Sequence, residues 1–316
     1  MNPIGGYFSL ELPLHEEYHK EAIKLNTGRN CLEYILRSRK YSKVYIPYYS
    51  CDVLLEPFRK LGIEYTFYRI NIEFEIAEVI ALKENEALLY INYFGLKQNY
   101  VSSLAGEYSS QLIVDNTQAF YAKPIEGIDT FYTCRKFFGV PDGAYLYTDH
   151  PLDDDIEQDV SWERMDFLTK RIDLSPEDGY SDFRQQSHDL IGQRIKRMSR
   201  LTERFMQSIG YDAVAARRRD NFNCLHKHLS ESNQLHLSFN DDAVPMIYPY
   251  LTSKEGLREY LIQNKVFVAK YWPNVLELSN FKTEYELANK VVAIPCDQRY
   301  EKDEMLFILK TIDLWK

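Results

Sequence analysis

Ile113-Val114-Asp115-Asn116-Thr117-Gln118-Ala119, followed a short way on by Phe131-Tyr132-Thr133-Cys134-Arg135-Lys136, is the stretch that decides the fold. Each piece is an apolar or aromatic run ending in polar groups, the pattern of a strand that delivers a side chain above a sheet. Working outward, residues 111–116 and 130–135 are strand-like, and similar runs recur at 44–49, 63–70, 87–94 and 144–148. Between them, residues 30–40, 50–61 and 101–110 have helical period. Strands alternating with helices predict right-handed crossovers, hence an α/β protein with a mostly parallel central sheet flanked by helices. Ligands of such sheets bind beyond the carboxyl ends of the strands, where Asp115, Gln118 and Lys136 fall.

Beyond residue 150 the texture changes. After Asp153-Asp154-Asp155, residues 182–208 carry mixed charge with apolar positions at helical spacing, which predicts one long connecting helix closing a large domain over residues 1–208. Residues 209–316 predict a smaller α+β domain: a helix through Leu229, a strand near 246–250, a helix at 253–263, a strand near 266–270 and a final helix at Lys302–Leu314.

Composition narrows the functional classes. The chain has 316 residues, with 38 Lys+Arg against 47 Asp+Glu for a net charge of −9, and apolar types make up 45%. That much apolar material builds a core, and the acidic balance argues against general affinity for nucleic acid or anionic membranes. Five separated cysteines without a C-x-x-C pair support neither a disulfide framework nor a cysteine zinc site. Residues 1–14 lack a basic segment followed by an apolar run, so a cytoplasmic location is expected. Tyr is over-represented, 25 against 17 Phe. Tyr48, Tyr49, Tyr90, Tyr93, Tyr121 and Tyr132 all fall near predicted strand ends, where their hydroxyls could serve a ligand.

Taken singly, the polar residues are ambiguous. Asp115 reads as a ligand-facing carboxylate or as a helix cap. Lys136 reads as a solvated surface amine or as a Schiff-base lysine, with Arg135 contributing charge or pointing elsewhere. Asn26-Thr27-Gly28-Arg29-Asn30 places a flexible turn before a helix, either an anion site or ordinary capping. His15 with His19, and His226 with His228, offer too few converging ligands for a metal. Arg217-Arg218-Arg219 reads as a solvated helix face or as a diphosphate contact, and Trp272-Pro273 as core or as part of an active-site mouth.

In chain order these residues, with Pro47-Tyr48-Tyr49-Ser50-Cys51 and Tyr90-Ile91-Asn92-Tyr93-Phe94-Gly95, resemble the DegT/DnrJ/StrS family of pyridoxal-phosphate sugar aminotransferases. The resemblance implies the PLP-dependent transferase fold type I. It also implies pyridoxal 5'-phosphate as cofactor, an amino-acid donor such as glutamate, a keto-sugar acceptor that is nucleotide-linked, a role in polysaccharide or glycan assembly, and a homodimer. Position by position, it implies that Asp115 pairs with the pyridine nitrogen and Gln118 contacts the 3-oxygen side of the ring. Lys136 holds the cofactor and moves the proton, while Gly28, Arg29 and Asn30 cradle the phosphate. The chain departs from the pattern at several places. Phe131 stands where the family has a serine, so Thr133 or Thr130 is expected as phosphate ligand. Phe137 replaces an asparagine, the glycine turn is reduced to Asp142-Gly143-Ala144, and Cys51 falls where an aromatic stacks on the ring, with Tyr49 the expected substitute. These departures motivate a second reading, a catalytically silent protein of the same fold that binds or regulates.

Overall fold

Three strands of the larger sheet are buried along their whole length, Glu86–Ile91, Leu112–Asp115 and Asp129–Thr133. They form the middle of the sheet in the computed structural model, which describes residues 4–278 and 280–315. Side chains such as Leu88, Leu89, Ile113 and Val114 project to both faces, and both are covered, as parallel strands joined by helices require.

The seven strands are β1 (Ile23–Leu25), β2 (Lys43–Pro47), β3 (Glu64–Tyr68), β4 (Glu86–Ile91), β5 (Leu112–Asp115), β6 (Asp129–Thr133) and β7 (Ala144–Tyr147). They lie in the order β1-β7-β6-β5-β4-β2-β3. Pairing is parallel from β3 through β6, while β7 and β1 add an antiparallel edge. Register places Asp115 between Ile91 of β4 and Phe131 of β6, so the carboxyl ends of three strands share one rim.

The helices are α1 (Gly28–Arg39), α2 (Glu56–Leu61), α3 (Gln98–Tyr108), α4 (Asp166–Asp173), α5 (Tyr180–Asp189), α6 (Arg200–Met206), α7 (Tyr211–Leu229), α8 (Leu257–Gln263), α9 (Lys282–Lys290) and α10 (Lys302–Leu314). Helix α1 starts where Thr27, extended at φ −143°, accepts a hydrogen bond from the backbone N–H of Asn30. The last helix begins with a capping box between Glu301 and Glu304 and keeps the predicted bounds. No helix among the described residues is long and apolar enough to cross a membrane.

Three expectations change. Residues 50–61 form a short 3-10 turn (Asp52–Leu55) before α2, where Pro57 suits a helix start but not a helix interior. The single helix expected over 182–208 is two, α5 and α6, separated by an extended strap. Gly192 turns there at φ +71°, and the strap is sewn to the start of the sheet. The Asn26 and Asn30 side-chain amides donate to the Arg194 carbonyl at 3.1 and 2.8 Å, Asn26 N–H donates to Lys196, and Met198 N–H to Lys24. Ser199 then caps α6. Residues 266–270 make only one bridge, Ala269 with Ala293, and the antiparallel partner of β8 (Ile247–Leu251) is β9 (Val291–Pro295).

Candidate active site

Beyond the carboxyl ends of β4, β5 and β6 lies a pocket of about 220 Å³. Thr27, Gly28 and Arg29 enter it from the start of α1, Ser50 and Cys51 from the end of β2, and Asp115, Thr117 and Gln118 from β5. Thr133, Arg135 and Lys136 enter from β6, and Trp272 from the C-terminal part of the chain. Six of the eight residues expected from the sequence therefore meet: Gly28, Arg29, Asp115, Gln118, Thr133 and Lys136.

Lys136 reaches the solvent side of the pocket but is surrounded by protein on its others, and its Nζ donates to Thr117 Oγ1 at 3.0 Å. Desolvation lowers its pKa, while the charge of Asp115 opposes that fall. A lysine so placed holds more free amine at neutral pH than a surface lysine. Asp115 is buried, and desolvation pushes its carboxyl up against the opposing pull of Lys136 and of Thr117, whose backbone N–H donates to Oδ1 at 2.8 Å. Burial also raises the Cys51 thiol, which keeps it neutral.

The pocket's far end is cationic. Arg29 and Arg135 are close enough that the charge of Arg29, after burial itself, depresses Arg135 to about 10, which leaves it charged at neutral pH. Arg29 is partly offset by Glu56 at 2.7 Å. Arg135 donates to Gln186 and, at 3.2 Å, to Ser187 on α5.

Five buried side-chain polar atoms lack a partner among the described residues, and two of them belong to pocket residues: Gln118 Nε2 and Arg135 Nε. The Gln118 amide is oriented, because its Oε1 accepts from Phe94 N–H at 2.9 Å and so leaves its NH₂ to a ligand acceptor. A side chain at Gly28 would crowd the pocket, since a Cβ there would lie 3.2 Å from Thr117 Cγ2. An aromatic ring bearing a protonated nitrogen, an oxygen acceptor and a phosphate fits this donor set. Asp115 would face the nitrogen, the Gln118 amide the oxygen, and Arg29 at the start of α1 together with Thr133 and Arg135 at the end of β6 the dianion.

No protein-family model matches the chain, and no curated protein matches it. Solved structures match in shape. DesV of S. venezuelae aligns at TM-score 0.65 and 16% identity, covering 93% of this chain and 84% of that one. The sugar aminotransferase CalS13 from Micromonospora echinospora gives 0.63 at 12% identity over 94% and 88%. Helicobacter pylori PseC, an aminotransferase of pseudoaminic acid biosynthesis, gives 0.63 at 12% over 93% and 86%. The chain has the sugar aminotransferase fold.

Against that fold, several expected residues lie elsewhere. Tyr49 is fully buried and does not line the pocket; its ring packs edge-on against Trp272 at 4.4 Å, behind the wall. Asn30 also lies outside the pocket, its amide spent on Asn26 Oδ1 at 2.7 Å and on the strap. The tyrosines near the strand ends are core residues that tie backbone carbonyls: Tyr48 to Val275, Tyr90 to Phe74, Tyr93 to Tyr49, Tyr121 to Tyr211 and Tyr132 to Ala122. Arg218 is neither solvated nor a diphosphate contact. It is buried, stacks on Phe137 at 4.4 Å and donates to the carbonyls of Pro245, Met246 and Phe137. His19 is packed, with Nε2 2.7 Å from the Phe120 carbonyl and Nδ1 3.1 Å from the Tyr147 hydroxyl. No metal-holding group of His, Cys, Asp or Glu occurs among the described residues. Trp272 and Arg135 are the two pocket residues that the sequence left open, and aromatic or cationic character beside Pro273 and Lys136 was their only signal.

Proposed function

We propose that the chain is a pyridoxal-phosphate-dependent aminotransferase that takes an amino group from an amino acid, glutamate foremost, and gives it to a nucleotide-linked keto-sugar. The carrying observation is one pocket that holds the lysine, a buried carboxylate, an oriented free amide and a cationic end. Pyridoxal phosphate, when bound, supplies a carbonyl carbon that condenses with amines and a ring that accepts an electron pair from the substrate carbon. Gly28, Arg29, Thr133 and Arg135 would hold its phosphate, Gln118 would donate to its ring oxygen, and Asp115 would keep its ring nitrogen protonated. Lys136 would hold the cofactor and, once released, carry a proton at Nζ to and from the reacting carbon, for which its lowered pKa suits it.

Assembly as a homodimer is part of the proposal. It is supported by apolar side chains left exposed on residues 4–14 (Ile4, Tyr7, Phe8, Leu10) and on the α4–α5 segment (Ile172, Leu174, Tyr180). The alternative of a silent protein is disfavoured by the convergence of Asp115, Gln118 and Lys136. The test is a half-reaction: glutamate added to cofactor-loaded protein should convert the cofactor spectrum to that of pyridoxamine phosphate and release 2-oxoglutarate. Binding of cofactor with no conversion by any amino acid would favour the silent protein.

A further inference from the structure

The wall of the pocket after β2, made of Ser50, Cys51, Val53 and Leu54, carries no aromatic ring. None of the four offers a planar surface, although the cofactor proposed above carries an aromatic ring. Tyr49, the nearest aromatic in sequence, is buried behind that wall with its ring 6.2 Å from Phe74 and 5.7 Å from Tyr93.

Two aromatic side chains line the pocket, Phe131 from β6 and Trp272 from the C-terminal part of the chain, and of the two Trp272 is the one whose turn is tied to the segment after β2. Trp272, more than two hundred residues downstream, lines the pocket with Cys51 and Lys136 and is itself buried. Its backbone has φ 52° and ψ 59°, a left-handed conformation unusual for so bulky a residue and one that persists only where surrounding contacts hold it. Those contacts are visible. Asn274 Nδ2 donates to the Ser50 carbonyl at 3.0 Å and the Tyr48 hydroxyl donates to the Val275 carbonyl at 3.3 Å, so the turn that carries Trp272 is pinned to the segment that brings no ring to the pocket. Tyr49 and Tyr93 back the indole edge-on at 4.4 and 5.8 Å, and Phe94 lies nearly parallel to it at 6.4 Å. The indole is held among rings, and the turn that carries it by side-chain bonds to backbone carbonyls.

We propose that Trp272 supplies the aromatic cover of the cofactor ring, in place of the strand-end residue at Cys51. It is a positioning residue donated by the C-terminal part of the chain, and the inference rests on the cofactor reading. It follows that ring binding couples the β2 end to the Pro273–Glu277 turn.

The experiment compares wild type, Trp272→Phe, Trp272→Leu and the double variant Trp272→Leu/Cys51→Tyr. It measures affinity for pyridoxal phosphate, affinity for inorganic phosphate, and circular dichroism in the cofactor band. Trp272→Phe should bind pyridoxal phosphate close to wild type. Trp272→Leu, which keeps apolar bulk, should bind it up to about tenfold more weakly, the loss of one aromatic pair, and should change the cofactor dichroism. Its affinity for inorganic phosphate should be unchanged, and Cys51→Tyr should restore the cofactor affinity. Equal binding and dichroism in all four proteins, with cofactor still fixed on Lys136 by borohydride, would overturn the role of Trp272 alone. If wild type fixes no cofactor on Lys136, the cofactor reading falls and this inference with it. Should Trp272→Leu not fold, the cofactor dichroism of Trp272→Phe decides: a changed band at near-wild-type affinity supports contact with the ring, and a band identical to wild type overturns it.

Discussion

Two buried polar clusters, one around Asp142 ahead of β7 and one around Asp115 at the end of β5, differ in where their unmet polar groups lie. In the first, Asp142 is wholly buried and its carboxylate is saturated. It accepts from Ser199 N–H at 3.0 Å, from Ser199 Oγ at 2.9 Å and from the Thr202 hydroxyl, with Arg164 at 3.7 Å. In the second, Asp115 accepts from Thr117, Lys136 touches only the Thr117 hydroxyl, and the Gln118 amide nitrogen has no partner. Both carboxyls are raised by burial. The shift therefore does not distinguish them, and each leaves one nitrogen unmet, Arg164 Nε in the first and Gln118 Nε2 in the second, but only Gln118 lines the pocket. A carboxylate saturated away from the pocket is a stitch, here fastening α6 to the Asp142-Gly143 turn, whereas an amide left unmet inside the pocket is prepared for a ligand.

Exchanging the two carboxylates for uncharged residues should separate these roles. Asp115→Asn should lower amino transfer on the order of 10³-fold, because a neutral amide no longer favours a protonated ring nitrogen, with thermal stability held or improved. A stable, fully active Asp115→Asn protein would remove the basis of the comparison. Asp142→Ala should do the reverse, costing about 4 kcal/mol of stability as Ser199, Thr202 and Arg164 lose a buried acceptor, while cofactor affinity in the folded fraction stays near wild type. Denaturant titration alongside cofactor titration reads both.

His19 sharpens the same contrast, since both of its buried ring nitrogens have partners. Burial lowers its pKa to about 4 from 6.5, against the pull of the Phe120 carbonyl. As pH falls from 6.5 to about 4 the unfolded chain takes up a proton that the native protein refuses, so stability is lost across that window. The loss should total about 3 kcal/mol and be complete below the native value. His19→Gln should flatten this acid limb. If wild-type stability is constant across the window, His19 does not sit neutral as described.

Local chemistry was legible in the sequence and long-range chemistry was not. The alternation of strands and helices, and the rise of Asp115, Gln118 and Lys136 at strand ends, depend on residues a few positions apart. The break between α5 and α6 depends on Asn26 and Asn30 amides meeting the Arg194 carbonyl 168 and 164 residues away, which periodicity cannot register. The same holds for Trp272, whose place in the pocket is set by Asn274 bonding Ser50 across 224 residues. Proximity to Pro47 points to Tyr49, yet its side chain is buried outside the pocket lining. Arg218 sat in a run of charge that is ordinarily solvated, and its burial follows only from the carbonyls of Phe137, Pro245 and Met246 converging on it.

The central claim is that Lys136 carries a pyridoxal-type cofactor. Protein incubated with pyridoxal phosphate, reduced with borohydride and digested should show a pyridoxyl group on the peptide containing Lys136, with none on that peptide in Lys136→Ala. Labelling spread over exposed lysines at saturating cofactor, with Lys136 unmodified, would contradict the account.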